Sequence, residues 1–298
     1  MIRLFASLII LLFLSASLRA EDATFEEAMA LFTDGNYAEA RPLAEDFANK
    51  NDPRAFFMLG TMSQKGLGVE VDALTARLWY AKAANAGSVD GQLALGMLLL
   101  DGSLGEPNLA EGSAWLEKAA ASGNVQAQYN AALFYSGVYN NKPEWNKAFA
   151  LFKQAADKGM AEAQYNLALL YTDGRGVEKN AVQAANWFAK AASQGMPDAA
   201  LEYGVLVFRG EGVQKDEALG AKWLLIAANH GNAVAQNRMA KLYALGLGVK
   251  ADAAEAAKWN ILAKKGGRAD AELDDAQTKL DPSILKEGLA RAANFKPL

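Results

Sequence analysis

The 298-residue sequence contains no cysteine and only one histidine, His230. Without cysteine the chain forms no disulfide, offers no thiolate nucleophile and lacks the residue on which a bacterial lipoprotein carries its lipid. A single histidine cannot supply a Cys–His dyad or a histidine-rich metal site. We therefore expect no catalytic, metal or cofactor site, and we interpret His230 as a surface residue at a helix end. Chemistry by carboxylates alone stays open, but no spacing singles out a pair of acids.

The chain also lacks an excess of positive charge. It has 30 lysine and arginine residues against 34 aspartate and glutamate residues, a net charge of -4. Proteins that bind nucleic acid usually present a strongly basic face. We therefore expect no nucleic-acid partner.

Long apolar runs are missing as well, except at the N-terminus. Arg3 is followed by the apolar stretch Leu4–Phe13 and then by small residues that lead to Ala20. This order is typical of a secretory signal peptide, and we predict cleavage after Ala20 and export to the periplasm. A retained membrane anchor is the alternative, but the apolar core is short for a span of about 20 residues. After cleavage we expect no membrane insertion.

A repeat of 36 residues fills most of the remaining sequence. It runs without a gap through six units, residues 52–267. Glycine ends each unit and an aromatic or leucine column runs parallel to it. The glycines are Gly87, Gly123, Gly159, Gly195, Gly231 and Gly267, and the second column is Trp79, Trp115, Leu151, Trp187, Trp223 and Trp259. Repeats of this length indicate an array of stacked supersecondary units.

Each unit has the sequence signals of two helices. Residues that cap helix N-termini precede both halves of a unit, as Asp52 and Asp72 do in the first. Pro53 and Pro197 occupy first helical positions, where the missing N–H carries no penalty. A column of small residues that includes Gly60 and Gly204 would let paired helices approach closely. We predict helix, glycine-rich turn, helix and a left-handed glycine in every unit.

These columns resemble the Sel1-like repeat family, a branch of the tetratricopeptide superfamily. The fourth unit carries the resemblance through Ala163-Gln164, Leu167-Ala168, Tyr171, Gly174–Val177, Ala184, Trp187-Phe188, Ala191-Ala192 and Gly195. The resemblance implies an all-α, right-handed α/α solenoid that acts as an adaptor for other proteins. We divide the chain into a signal peptide (1–20), a tetratricopeptide-like helix pair (21–51), six repeats (52–267) and C-terminal capping helices (268–298).

The segment Gly174–Val177 also looks like a phosphate-binding loop. Such loops follow a strand and open a helix, whereas this one follows a predicted helix. Related glycine-rich turns recur at Gly66, Gly210 and Gly246. We therefore interpret it as a structural turn.

The third unit departs from the pattern. Residues 137–147 replace the glycine-rich turn, and Leu151 stands where the other units have tryptophan. Trp145 lies in this irregular segment. Two interpretations are open: the ring fills the space that Leu151 leaves, or it is an exposed aromatic anchor for a partner.

The first helix of each unit should present one face to the concave side of the solenoid. We predict that this face binds a partner. One column on it reads Met58, Ala94, Asn130, Asn166, Glu202 and Arg238. The predicted partner-binding residues are Asn130, Leu133, Glu162, Asn166, Leu169, Asp173, Asp198, Glu202, Arg209, Arg238 and Lys241. Several acids among apolar positions would suit a peptide or helix with basic residues.

Together these features predict an exported, non-enzymatic scaffold or adaptor, which we expect to be a monomer that binds an envelope protein. The repeat arrangement and the segment Glu255–Gly267 also resemble a periplasmic regulator that restrains a sensor kinase controlling exopolysaccharide synthesis. Two alternatives stay open. One is a β-lactam or cell-wall-related hydrolase, and the other is a module that binds cell-wall material or glycans.

Overall fold

The computed structural model describes residues 24–298, and the predicted signal peptide lies outside this range. The described residues form sixteen α-helices and no strand, which confirms the all-α class. The chain divides into one compact unit that ends at Pro143 and a second that runs from Glu144 to Leu298. The division falls inside the irregular segment of the third repeat.

The first unit contains seven helices: α1 Phe25–Thr33, α2 Tyr37–Asn49, α3 Pro53–Lys65, α4 Ala73–Asn85, α5 Val89–Leu100, α6 Leu109–Ala121 and α7 Val125–Tyr135. The second contains nine: α8 Trp145–Asp157, α9 Ala161–Asp173, α10 Ala181–Ser193, α11 Pro197–Arg209, α12 Glu217–Asn229, α13 Ala233–Leu245, α14 Ala253–Lys265, α15 Ala271–Thr278 and α16 Pro282–Ala293. Within each unit, helices that follow one another in the chain pack together up to α15, and α16 packs on α14.

Side-chain caps begin most of these helices, as the sequence predicts. Asp52 Oδ1 accepts the Arg54 amide at 2.9 Å, and Asp72 Oδ1 accepts the Leu74 amide at 3.0 Å. The same role falls to Ser88, Asn108, Asn124, Asn180, Asp216, Asn232 and Asp252. Each cap satisfies a backbone N–H that has no partner inside its helix, a contribution of about 1 kcal/mol.

Close helix packing depends on the column of small residues. A Cβ on Gly60 would lie 2.5 Å from the ring of Tyr80, and one on Gly204 would lie 3.0 Å from the carbonyl oxygen of Gly220. Only two tryptophans of the column are buried: Trp259 is 1% exposed and Trp187 is 7% exposed. The other tryptophans of the column are partly exposed.

The glycine-rich turns are packing devices. Gly176 has a φ of 70°, and a Cβ there would lie 2.2 Å from the carbonyl oxygen of Trp145, the first residue of α8. Gly212 meets the carbonyl oxygen of Ala181 at the same 2.2 Å, and Gly248 meets that of Glu217. The backbone of the turn thus packs against the start of a helix in the preceding repeat. This close contact explains why glycine occupies the position and supports the interpretation of the segment as a structural turn.

A buried glutamine column links neighbouring repeats and was not predicted as a structural element. Gln164 Nε2 donates to the carbonyl oxygen of Ala156 at 3.2 Å, and Gln236 Nε2 donates to that of Ala228 at 3.1 Å. Both glutamines are buried. Each one therefore ties the first helix of a repeat to the last turn of the helix before it.

The final helix covers the outer face of the last repeat. Gly288 of α16 lies so near α14 that a Cβ would come within 2.7 Å of the Ala257 methyl group. Arg291 Nη1 bonds both Asp252, at 3.0 Å, and Glu255, at 2.9 Å. These contacts hold α16 against α14 and shield apolar surface that a further repeat would otherwise cover.

Candidate partner-binding surface

The predicted residues of the second unit lie on the first helices of successive repeats. We call this surface the second-unit wall, formed by exposed or partly exposed side chains of α9, α11 and α13. Its predicted members are Glu162, Asn166, Leu169 and Asp173 on α9, Asp198, Glu202 and Arg209 on α11, and Arg238 and Lys241 on α13.

Electrostatic interactions join α11 to α13. Burial raises the pKa of Glu202 above its ordinary value of 4.5. The positive charge of Arg238 opposes this rise, and the negative charge of Asp198 adds to it. Asp198 also accepts a hydrogen bond from Asn232 Nδ2 at 2.9 Å. Three predicted residues therefore lie within electrostatic range of one another on this surface.

Tyr165 extends this neighbourhood to α9. Burial raises the pKa of its hydroxyl, and the charges of Glu202 and Asp198 raise it further. Its ring meets Phe188 edge to face, with centroids 5.6 Å apart. Tyr165 thus borders the wall while its ring packs within the repeat.

Arg238 carries a charge that no direct partner neutralises. Among the described residues its guanidinium makes no hydrogen bond or ion pair, and its Nε is buried without an acceptor. Burial lowers its pKa, and the nearby charges of Arg209 and Arg268 lower it further. Only Glu202 opposes them. An unpaired, partly buried cation of this kind favours an incoming anion.

The other charged members of the wall have local partners. Asp173 pairs with Arg175 at 3.1 Å, Arg209 pairs with Glu211 at 3.5 Å, and Lys241 binds Asp270 at 2.7 Å. The Lys241 hydrogen bond, ahead of those from Asn237 and a backbone amide, lowers the pKa of Asp270 from 3.8 to about 2. Exposed pairs of this kind contribute little to stability.

The sequence predicted neither Arg268 nor Asp270 as part of this surface. Both follow Gly267, the last residue of the repeat pattern, at which the predicted columns end. At the 36-residue spacing Asp270 continues the column of Glu162 and Asp198, which is the signal that could have revealed it.

Two positions of the first unit are buried, although the sequence predicts that their column faces the concave side. Met58 is 2% exposed and Asn130 is 8% exposed, so this column does not face solvent along its whole length. Met58 belongs to a buried cluster with Phe25 and Ala28, because the α1–α2 pair packs on α3. Leu133 is partly buried on α7. Asn130 therefore offers little surface to a partner.

Trp145 is the first residue of α8 and is partly exposed. The guanidinium of Arg175 lies 5.0 Å from the centre of its ring, within the range of a cation–π interaction. Its backbone carbonyl is the atom that Gly176 approaches. The residue combines a packing role for its backbone with a ring that solvent reaches.

His230 lies at the C-terminal cap of α12, where its Nδ1 is 2.9 Å from the carbonyl oxygen of Ile226. Within residues 24–298 no group of three or more histidine, aspartate or glutamate side chains is arranged to hold a metal ion. In the same range no helix is long and apolar enough to cross a membrane. The wall presents charged and amide groups to solvent.

Comparison with protein families gives a direct assignment. The model of the Sel1 repeat matches residues 53–88, 89–124, 125–160, 161–196, 197–232 and 233–267. The chain belongs to the Sel1 repeat family. Sel1 repeat proteins are typically scaffolds for protein–protein interaction and are generally non-catalytic. No curated protein is similar enough to the chain to count as a match.

Two solved structures share the fold over 94% of this chain. One is a Sel1 repeat protein from Oxalobacter formigenes, 32% identical, with a TM-score of 0.72 and 86% of its own length covered. The other is c5321, a protective antigen present in uropathogenic Escherichia coli strains, 26% identical with a TM-score of 0.79. This chain spans 62% of the length of c5321.

Proposed function

We propose that this Sel1 repeat protein is an exported, monomeric scaffold that binds a protein partner through the second-unit wall. The single observation that carries the proposal is Arg238, a partly buried guanidinium with no hydrogen-bond partner, which lies near the partly buried carboxyl of Glu202. Such groups are held at a cost in desolvation, which a partner's complementary charges would offset. The N-terminal sequence supports export to the periplasm.

Regulation of an envelope sensor kinase is the narrower form of this proposal. It rests on the resemblance of the repeat arrangement and of Glu255–Gly267 to a periplasmic regulator of exopolysaccharide synthesis. In that role the wall would hold the periplasmic part of the kinase, and the acids Glu162, Asp198 and Glu202 would meet basic residues on it.

Photo-crosslinking in the intact cell envelope tests the proposal. A photoreactive amino acid replaces Asn166 on the wall or, as the control, Asn186 on α10, which is exposed on a second helix of the same repeat. We expect one discrete protein adduct from position 166 and none from position 186. Mass spectrometry would then identify the partner.

Two results would contradict the proposal. Adducts of equal yield at positions 166 and 186 would show that the wall has no special role. Adducts at neither position, with the protein folded and present in the periplasm, would favour a glycan or another small ligand. Recovery of the protein in the cytoplasm would refute the exported role alone.

A further inference from the structure

A small pocket opens between α11, α12 and α13. Its volume is about 220 Å³. Its apolar lining, which we call the floor, is formed by Val205 and Phe208 from α11, Leu224 from α12 and Leu242 from α13. Its cationic lining, which we call the rim, is formed by Arg209, Arg238 and Lys241. All seven residues belong to the second unit.

The three cations are not equally available. Lys241 is bound by Asp270 at 2.7 Å, and Arg209 is held by Glu211 at 3.5 Å. Arg238 has no such partner, and its Nε is buried without an acceptor. Arg238 is therefore the rim cation that is available to bind a ligand.

The charge around Arg238 favours an anion. Two other guanidinium groups, those of Arg209 and Arg268, lower the pKa of Arg238 through repulsion, after burial itself. A carboxylate on the rim would relieve this repulsion and accept hydrogen bonds from the planar guanidinium, a geometry that fits two oxygens at once.

The size of the pocket limits the ligand. Sites for small-molecule ligands and cofactors usually enclose about 300 to 1,000 Å³. A space of about 220 Å³ suits one or two amino-acid side chains. Free phosphate would leave the apolar floor without a partner, whereas a peptide can place an apolar side chain there.

We propose that the pocket receives a glutamate or aspartate side chain of a protein partner, with a neighbouring apolar side chain of that partner on the floor. This inference rests on the proposed scaffold function and adds the chemistry of the bound segment. It also predicts the orientation of the bound segment on the wall, because Asp198 and Glu202 would meet basic residues of the partner while Arg238 meets an acidic one.

The test titrates the ¹⁵N-labelled protein with a blocked peptide, Ac-Gly-Leu-Glu-Phe-Gly-NH₂, and follows backbone amides and arginine Nε–H signals by NMR. The matched probes replace the peptide's glutamate by glutamine or by lysine, and inorganic phosphate is a separate probe. We expect the glutamate peptide to shift the Nε–H signal of Arg238 and the amide of Val205. The glutamine and lysine peptides should bind at least ten-fold more weakly.

A variant and its control make the result specific. Arg238→Gln should abolish the shift of the Val205 amide without loss of thermal stability, because it removes a desolvated charge that has no hydrogen-bond partner. Arg175→Gln, which changes an exposed arginine in the turn after α9, should leave the peptide-induced shifts unchanged. Equal binding of the glutamine peptide, equal shifts in Arg238→Gln, or no binding of the glutamate peptide would each overturn the inference.

The outcomes separate this inference from the proposed function. Binding of phosphate as strong as that of the peptide would mean that the pocket takes any small anion, and the peptide assignment would fall. A wall adduct at position 166 with no peptide binding would leave the scaffold function standing and refute only the acidic ligand. Peptide binding without any adduct would support the pocket's chemistry and refute the protein partner in the envelope.

Discussion

The wall positions of the two units hold different residues on the same helical framework. In the first unit the shared column includes Met58 and Asn130, which are buried. In the second unit the same column continues with Glu202 and Arg238, which are partly exposed and interact electrostatically. Both units repeat the terminal glycines at a positive φ, and side-chain caps begin most helices in each. The repeated positions therefore determine the fold, whereas the wall positions vary between the units, as the proposed recognition role requires.

The largest expected effect comes from a framework position. Gly176→Ala would place a Cβ 2.2 Å from the carbonyl oxygen of Trp145 at a φ of 70°. A positive φ costs a residue with a side chain about 1–2 kcal/mol, and overpacking adds about 1–3 kcal/mol. We expect the free energy of unfolding to fall by about 2–5 kcal/mol in urea titrations followed by circular dichroism.

Gly159→Ala is the control for that change. Gly159 has a φ of 93°, but nothing lies within 4 Å of its Cβ position. Only the conformational part, about 1–2 kcal/mol, should be lost. Equal losses of unfolding free energy in the two variants would show that the contact with Trp145 does not explain why glycine occupies position 176.

The next largest effect should come from reversing charge on the wall. Glu202→Lys places a third cation beside Arg209 and Arg238 and should lower the yield of the partner adduct at position 166 at least ten-fold. Ala94→Lys, the equivalent position in the first unit, should leave the yield unchanged. A matching loss in both variants would abolish the distinction between the units.

A smaller effect is a change in the pH dependence of stability. Because burial raises the pKa of Glu202 above 4.5, the folded protein holds this proton more tightly than the unfolded chain does. Stability should therefore decrease as pH rises from about 4.5 through the raised pKa. Glu202→Gln should exceed the original chain in stability at pH 7, by about 0.5 kcal/mol for a partly solvated group, and match it at pH 4.

Thermal unfolding of both proteins between pH 4 and pH 8 checks this sign. A Glu202→Gln variant that is less stable at pH 7 would mean that attraction to Arg238 outweighs desolvation.

The smallest effect concerns Asp270, which binds Lys241 beside the pocket. Its pKa of about 2 lies below the ordinary 3.8, so its contribution is present above about pH 3.8 and is lost as pH falls toward 2. Lys241→Met should raise the pKa of the Asp270 carboxyl, measured by ¹³C NMR titration. An unchanged pKa would show that Asn237 and the backbone amide hold the carboxylate by themselves.

Most of the framework could be predicted because its signals are local. Capping residues, a proline at a first helical position and a glycine in the left-handed region each act within a few residues of the chain, and a 36-residue period repeats them. The partner of Gly176, the carbonyl oxygen of Trp145, was not predictable because it comes from the preceding repeat. The hydrogen bond from Gln164 to Ala156 was not predictable for the same reason.

The wall was predictable only as a set of positions. Helical periodicity placed Asn166, Glu202 and Arg238 on one face, but it placed Met58 there equally. The burial of Met58 depends on how the N-terminal helix pair packs, which periodicity does not contain. Arg268 and Asp270 reach the wall from outside the six repeats, and the predicted columns end at Gly267, although Asp270 continues the column of Asp198.

Transfer of the first-unit residues to the second-unit wall tests the central claim most directly. The variant Asn166→Met, Glu202→Ala and Arg238→Asn writes the first-unit column onto the second unit, with a photoreactive residue at position 173 as reporter. The control carries Asn186→Ala and Lys222→Ala on second helices. We predict that the transferred column abolishes the partner adduct while circular dichroism and thermal unfolding stay close to those of the control. An undiminished adduct in the folded transfer variant would contradict the account.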